Sequence, residues 1–159
     1  MSNDDSQSAE ITEQPGFLSA LFQCKCSRCR KGNMFKNPIH FLSPRKNMQM
    51  PEFCPVCKQP LEIEVGFYYG TGYVSYALTI AVSVATFIAY WVVMGISIHD
   101  NSLFYWLMVN FIVLVILMPY IMRLSRAVWL SIFVKYDAHW NKKPPKNAER
   151  MVEEMRNLW

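Results

Sequence analysis

The chain divides into three stretches by its pattern of apolar and polar positions. From Ser2 to Pro15 it is polar, with Asp4, Asp5, Glu10 and Glu13, and it has none of the basic, apolar and small-residue succession of a secretory leader. Residues 1–15 therefore read as a solvated, disordered tail. Residues 16–65 mix short apolar clusters with cysteines, prolines and basic residues. Within them Phe17, Leu18, Leu21 and Phe22 fit either a bilayer surface or the side of a small module. Leu61 to Val65 alternates with Glu62 and Glu64, the period of a closing β-strand.

After the break at Gly66-Phe-Tyr-Tyr-Gly70-Thr-Gly72 the pattern changes. Tyr73 to Ile98 is 26 residues without a charge, longer as a helix than the roughly 30 Å hydrocarbon core of a bilayer. Leu103 to Met122 is a second such run, interrupted by Asn110 and by Pro119, which would kink it. With only His99-Asp100-Asn101-Ser102 between them, residues 66–122 are expected to form an antiparallel transmembrane hairpin with spans at 73–98 and 103–122. Ala77, Ala81, Ala85 and Ala89 repeat every four residues on the first span and would let the second span or another copy approach closely. Asn110 would donate a hydrogen bond across the hairpin.

Helical spacing continues over 123–140, with Leu124, Val128, Trp129, Ile132 and Phe133 on one face. This predicts an amphipathic interfacial helix, with Arg123, Arg126, Trp129 and Lys135 at lipid headgroups; a continuation of the second span is the competing reading. Residues 141–159 read as a basic, proline-broken linker and a short C-terminal helix from Ala148 to Trp159.

Composition agrees with a membrane chain: 52% of residues are hydrophobic and 18% charged, with five tryptophans and eight tyrosines. The net charge is +4, and every lysine and arginine lies outside the hairpin. The positive-inside rule then places both ends in the cytoplasm. Thiols stay reduced there.

That sidedness matters because of the cysteines. Cys26-x-x-Cys29 and Cys54-x-x-Cys57 are two knuckles about two dozen residues apart, the spacing of a four-thiolate metal site. Gly32, Pro55 and Pro60 supply turn residues, and Lys31 and Lys58 offset thiolate charge. Zinc is the expected ion, with a single iron of the rubredoxin kind as the alternative. A module this small needs the metal for most of its folding free energy, on the order of 10 kcal/mol for structural zinc. Cys24 is left over as an accessory thiol, and with Met48 and Met50 it suggests a weaker copper(I) reading. His40, His99 and His139 are scattered, and no catalytic constellation is present. Lys25, Arg28, Arg30, Lys31 and Lys36 form a basic cluster that an anionic bilayer explains more simply than a nucleic acid.

The fold class expected is thus a small zinc-ribbon-like β module, an α-helical transmembrane hairpin and a C-terminal interfacial helix. The order Cys26-Ser-Arg-Cys29-Arg-Lys-Gly32-Asn-Met-Phe35, Cys54-Pro-Val-Cys57, Gly66-Phe-Tyr-Tyr-Gly70, Tyr73-Val-Ser-Tyr-Ala77 and Arg123-Leu-Ser-Arg126 resembles the bacterial membrane family called domain of unknown function 983, over roughly residues 24–137. The resemblance implies a bacterial inner-membrane protein with a cytoplasmic zinc-ribbon-like head, and no particular activity. Lys58 departs from the glycine that such knuckles often carry after the second cysteine. The expectation for function is a non-enzymatic scaffold or assembly factor that recruits a partner at the cytoplasmic face, against a redox role for the same thiolates.

Overall fold

The computed structural model describes residues 16–41, 43–64, 66–95 and 101–145. The expected tail 1–15, the C-terminal helix over 148–159, the last residues of the first expected span and His99 lie outside these residues.

Two long helices dominate. After a 3-10 turn at Phe67–Gly70, the helix α3 runs over Thr71–Met94, and α4 over Ser102–Phe133. Two short helices precede them, α1 at Phe17–Phe22 and α2 at Pro44–Asn47. Both long helices are long and apolar enough to cross a membrane. α3 buries no residue fully inside the protein, so its apolar side chains are available to lipid.

The hairpin is held by polar side chains placed where an apolar environment makes them count. Asn110 Oδ1 accepts from Thr86 Oγ1 at 2.9 Å, and Asn110 Nδ2 donates to Ser83 Oγ at 3.3 Å. The expected hydrogen bond across the hairpin is present, and Phe87 meets Trp106 edge to face at 5.1 Å beside it. Ala77, Ala81, Ala85 and Ala89 are all exposed. The residues between them, such as Leu78, Val82, Ser83 and Thr86, are partly buried, so the alanine stripe does not face α4.

α4 continues eleven residues past the expected end of the second span, through Pro119, without a break. The separate interfacial helix over 123–140 is therefore not formed. Its first part belongs to α4, and the rest, residues 134–140, is turns and extended chain, as are residues 141–145 after it. The helix persists because its last turns are buried: Ile121, Leu124, Ala127 and Leu130 lie in the protein interior.

Ala127 and Leu130 share a single apolar cluster with the cysteines, Met34, Leu61 and Phe67. The N-terminal head is thus wrapped around the protruding end of α4. This relieves the size problem of so small a module, because the end of a long apolar helix lends it a core. The expected β module is not shown: among the described residues there are no strands, only single bridges, Lys25 to Asn33 and Phe53 to Pro60. Leu61 to Glu64 keeps its alternating burial, but its backbone makes no ladder.

Candidate metal centre

Each knuckle is a tight turn closed by backbone hydrogen bonds. In the first, Cys26 N donates to Gly32 O and Arg30 N to Cys26 O, both at 2.8 Å. In the second, Cys54 N donates to Gln59 O at 2.8 Å and Lys58 N to Cys54 O at 3.0 Å. The two turns are near repeats, and both place the residue after the second cysteine in the left-handed region, Arg30 at φ 55° and Lys58 at φ 57°. This is the position where glycine costs least.

The turns bring Cys26, Cys29, Cys54 and Cys57 together, all buried, with the four Sγ atoms within 4.8 Å of one another. Cys26 Sγ lies 3.7 Å from Cys57 Sγ, and Cys29 Sγ lies 3.8 Å from Cys54 Sγ. A tetrahedron of sulfurs around an ion at about 2.3 Å has edges of about 3.8 Å. A disulfide would bring a pair to about 2.05 Å, and all five cysteines are free. The four residues expected as ligands therefore form a cluster able to hold a metal ion.

Two glycine contacts show how tightly this is built. A side chain on Gly32 would collide with Cys54 Sγ, so the first knuckle can approach the second only with glycine there. Gly32 N also donates to Cys29 Sγ at 3.4 Å. Gly70 plays the same part at the base of the head, where a Cβ would strike the Trp129 indole.

The sulfurs divide their protons unevenly. Cys29 is held far below the usual thiol range by hydrogen bonds from Cys26, then from Cys54 and Cys57. Cys26 is raised correspondingly as donor to Cys29. Cys54 is lowered to about 7, chiefly by Cys26. Cys57 is raised like Cys26, with Cys26 lowering it and Cys29, Cys54 and burial raising it, so the four thiols share their protons as one set, and a divalent cation would displace those that remain.

Cys24 stays outside this quartet. Burial pushes its thiol up to about 11, against the opposing charge of Arg123, so it is a weak nucleophile and a poor ligand at neutral pH. Met50 Sδ accepts from Arg126 Nη1 at 3.5 Å, so that thioether is engaged by a guanidinium. His40 is positioned through its backbone N–H on Asn47 Oδ1 at 3.3 Å, and His139 is exposed; neither joins the sulfurs.

The residues expected at lipid headgroups are largely committed elsewhere. Arg123 is 6% exposed. Its Nε donates to Asn47 O at 2.9 Å, and its Nη2 to Asn37 O at 2.9 Å and Pro38 O at 2.8 Å. Arg126 reaches Met48 O at 3.3 Å and lies over the Tyr68 ring at 4.8 Å. Trp129 Nε1 donates to Phe67 O at 2.8 Å. Lys135 is exposed beyond the end of α4. The physical reason is the missing ladder: the chain between the knuckles has carbonyls that no strand satisfies, and α4 supplies the donors.

Asn47 was not singled out by the sequence, yet it is 1% exposed and joins three parts of the molecule. Besides its bonds to Arg123 and His40, its Nδ2 donates to Pro119 O at 3.0 Å, bracing the helix at its proline. Arg28, inside the first knuckle, donates through Nη2 to Lys143 O at 2.8 Å and Pro144 O at 2.9 Å, with Asp137 at 3.7 Å. Arg30 stacks on Tyr136 at 4.0 Å. Two members of the basic cluster thus strap residues 134–145 over the knuckle.

Lys58→Gly is expected to stabilise the head by about 0.5–1 kcal/mol, the left-handed strain relieved less the extra chain entropy of glycine. Arg30→Gly relieves the same strain but gives up the Tyr136 stack, and should gain nothing. Thermal unfolding in detergent reads both; a lower midpoint for Lys58→Gly would contradict the strain argument.

Comparison of the chain with protein-family models, with curated proteins and with solved structures finds no match.

Proposed function

We propose that this chain is a bacterial inner-membrane protein whose two long helices span the bilayer and carry, on the cytoplasmic side, a closed structural zinc centre that presents a docking surface without catalysing a reaction. The observation that carries this reading is the four-sulfur cluster itself, buried, with all four sulfurs within 4.8 Å of one another and two of the pairs at the edge length of a zinc–thiolate tetrahedron. Four protein ligands leave no open position for water or substrate, the arrangement of structural rather than catalytic zinc. The resemblance to the domain of unknown function 983 family and the absence of basic residues between the spans support the same location and sidedness. The exposed alanine stripe on α3 offers a place for a second copy or a partner's span in the same scheme.

Metal analysis of detergent-purified chain tests the centre. About one zinc per chain and a colourless solution are expected. Visible iron–thiolate absorption that bleaches on reduction would replace the scaffold with an electron carrier, and a metal content far below one would remove the centre altogether.

A further inference from the structure

At 1.5 Å per residue α4 is about 48 Å long, about 18 Å more than the hydrocarbon core needs. With the turn between the helices at one face, roughly 20 residues of each helix cross the core. α4 then leaves hydrocarbon near Met122, and α3 enters it near Val74.

Hydrogen bonds fix which parts of the head lie at that depth. The Tyr120 hydroxyl donates to Phe22 O at 2.8 Å, which places the end of α1 there. Asn47 on Pro119 and Arg123 on Asn37 and Pro38 place residues 37–41 and 43–47 there as well. Both segments carry large apolar side chains that the protein leaves uncovered. Leu18 and Phe22 of α1, with Ile39 and Phe41, are between 44% and 65% exposed, whereas the Phe17 ring is faced by Arg30 at 5.6 Å. Arg45 and Lys46 are exposed beside them.

Such a group of rings on a water-facing head would be costly. Here it is continuous with the exposed apolar surface of α4, where Ile116 and Met118 lie just below. We infer that α1 and residues 37–41 and 43–47 form a collar inserted into the headgroup and upper acyl layer of the same bilayer, with Arg45 and Lys46 turned to lipid phosphates. The occupant of this surface is lipid, and the head is seated in the membrane rather than held above it. The inference rests on the reading of α3 and α4 as spans.

The test uses the full chain in nanodiscs of phosphatidylcholine and phosphatidylglycerol. Fluorinated phenylalanine replaces Phe22, Phe41 or Phe111 one at a time, or stands at His139, and fluorine NMR reads the broadening. Phe111 lies mid-span and is exposed, so nitroxide on the lipid chains should broaden it; if it does not, the spanning reading has failed. His139 should respond only to an aqueous gadolinium chelate. With those two references as expected, broadening of positions 22 and 41 by lipid-borne nitroxide and protection from the chelate support the collar. Broadening by the chelate alone, or by neither agent as for a surface covered by protein, overturns it.

Discussion

Cys54→Ser is expected to abolish metal retention in the presence of a competing chelator and to leave the head open to protease while the long helices persist. Three thiolates and a hydroxyl hold zinc far more weakly, and the metal supplies on the order of 10 kcal/mol to structural sites. The loss falls on residues 24–64, whose regular secondary structure among the described residues is a single turn of helix at Pro44–Asn47 and whose packing converges on the cysteines. α3 and α4 carry most of the helix in the chain, so far-ultraviolet circular dichroism should change little. Cys24→Ser, outside the quartet, should keep its full metal content. A Cys54→Ser protein that held metal as tightly as the parent, with an unaltered digest, would refute the centre.

Arg123→Met should cost about 2–3 kcal/mol. Methionine keeps the length and the apolar stem, but it leaves the buried carbonyl of Asn47 without its donor and the part-buried carbonyls of Asn37 and Pro38 to find water instead, at about 1–3 kcal/mol for the buried group and less for the other two. Arg123→Lys should recover only part, because an ammonium cannot span three acceptors with a planar fork. The melting temperature in detergent and tryptic cleavage after Arg45 and Lys46 report the release of segment 37–47. An unchanged melt and digest would mean that the segment is held by something other than this side chain.

The knuckles and the long helices were legible in the sequence because their signals are local. Cysteine pairs at fixed spacing and long uncharged runs need no knowledge of distant residues. The expected strand over Leu61 to Val65 shows where this fails. Period-two burial reports an extended chain lying on a surface, and Leu61 is indeed buried while Glu62 and Glu64 are exposed, but it does not report a partner strand. Pro38, Pro44, Pro51, Pro55 and Pro60 remove donors at short intervals through this stretch, which leaves little continuous backbone for a ladder. Arg123 was misread for a related reason. An arginine just past an apolar run has the local signature of a headgroup anchor, and only the fold reveals the carbonyls 76 to 86 residues away that claim it. Asn47 has no local signal at all. The alanine stripe had a true periodicity, but spacing along one helix does not say which way the stripe points.

α4 is one uninterrupted rod from its start at Ser102 into the interior of the head, splinted by Asn47 at the proline where a hinge would otherwise form. Such a rod cannot lean without carrying the sulfur cluster through the same angle. If the long helices span a bilayer as proposed, their tipping in thinner or thicker membranes would turn the sulfur cluster with them, and bilayer thickness would become a mechanical input to whatever the head holds.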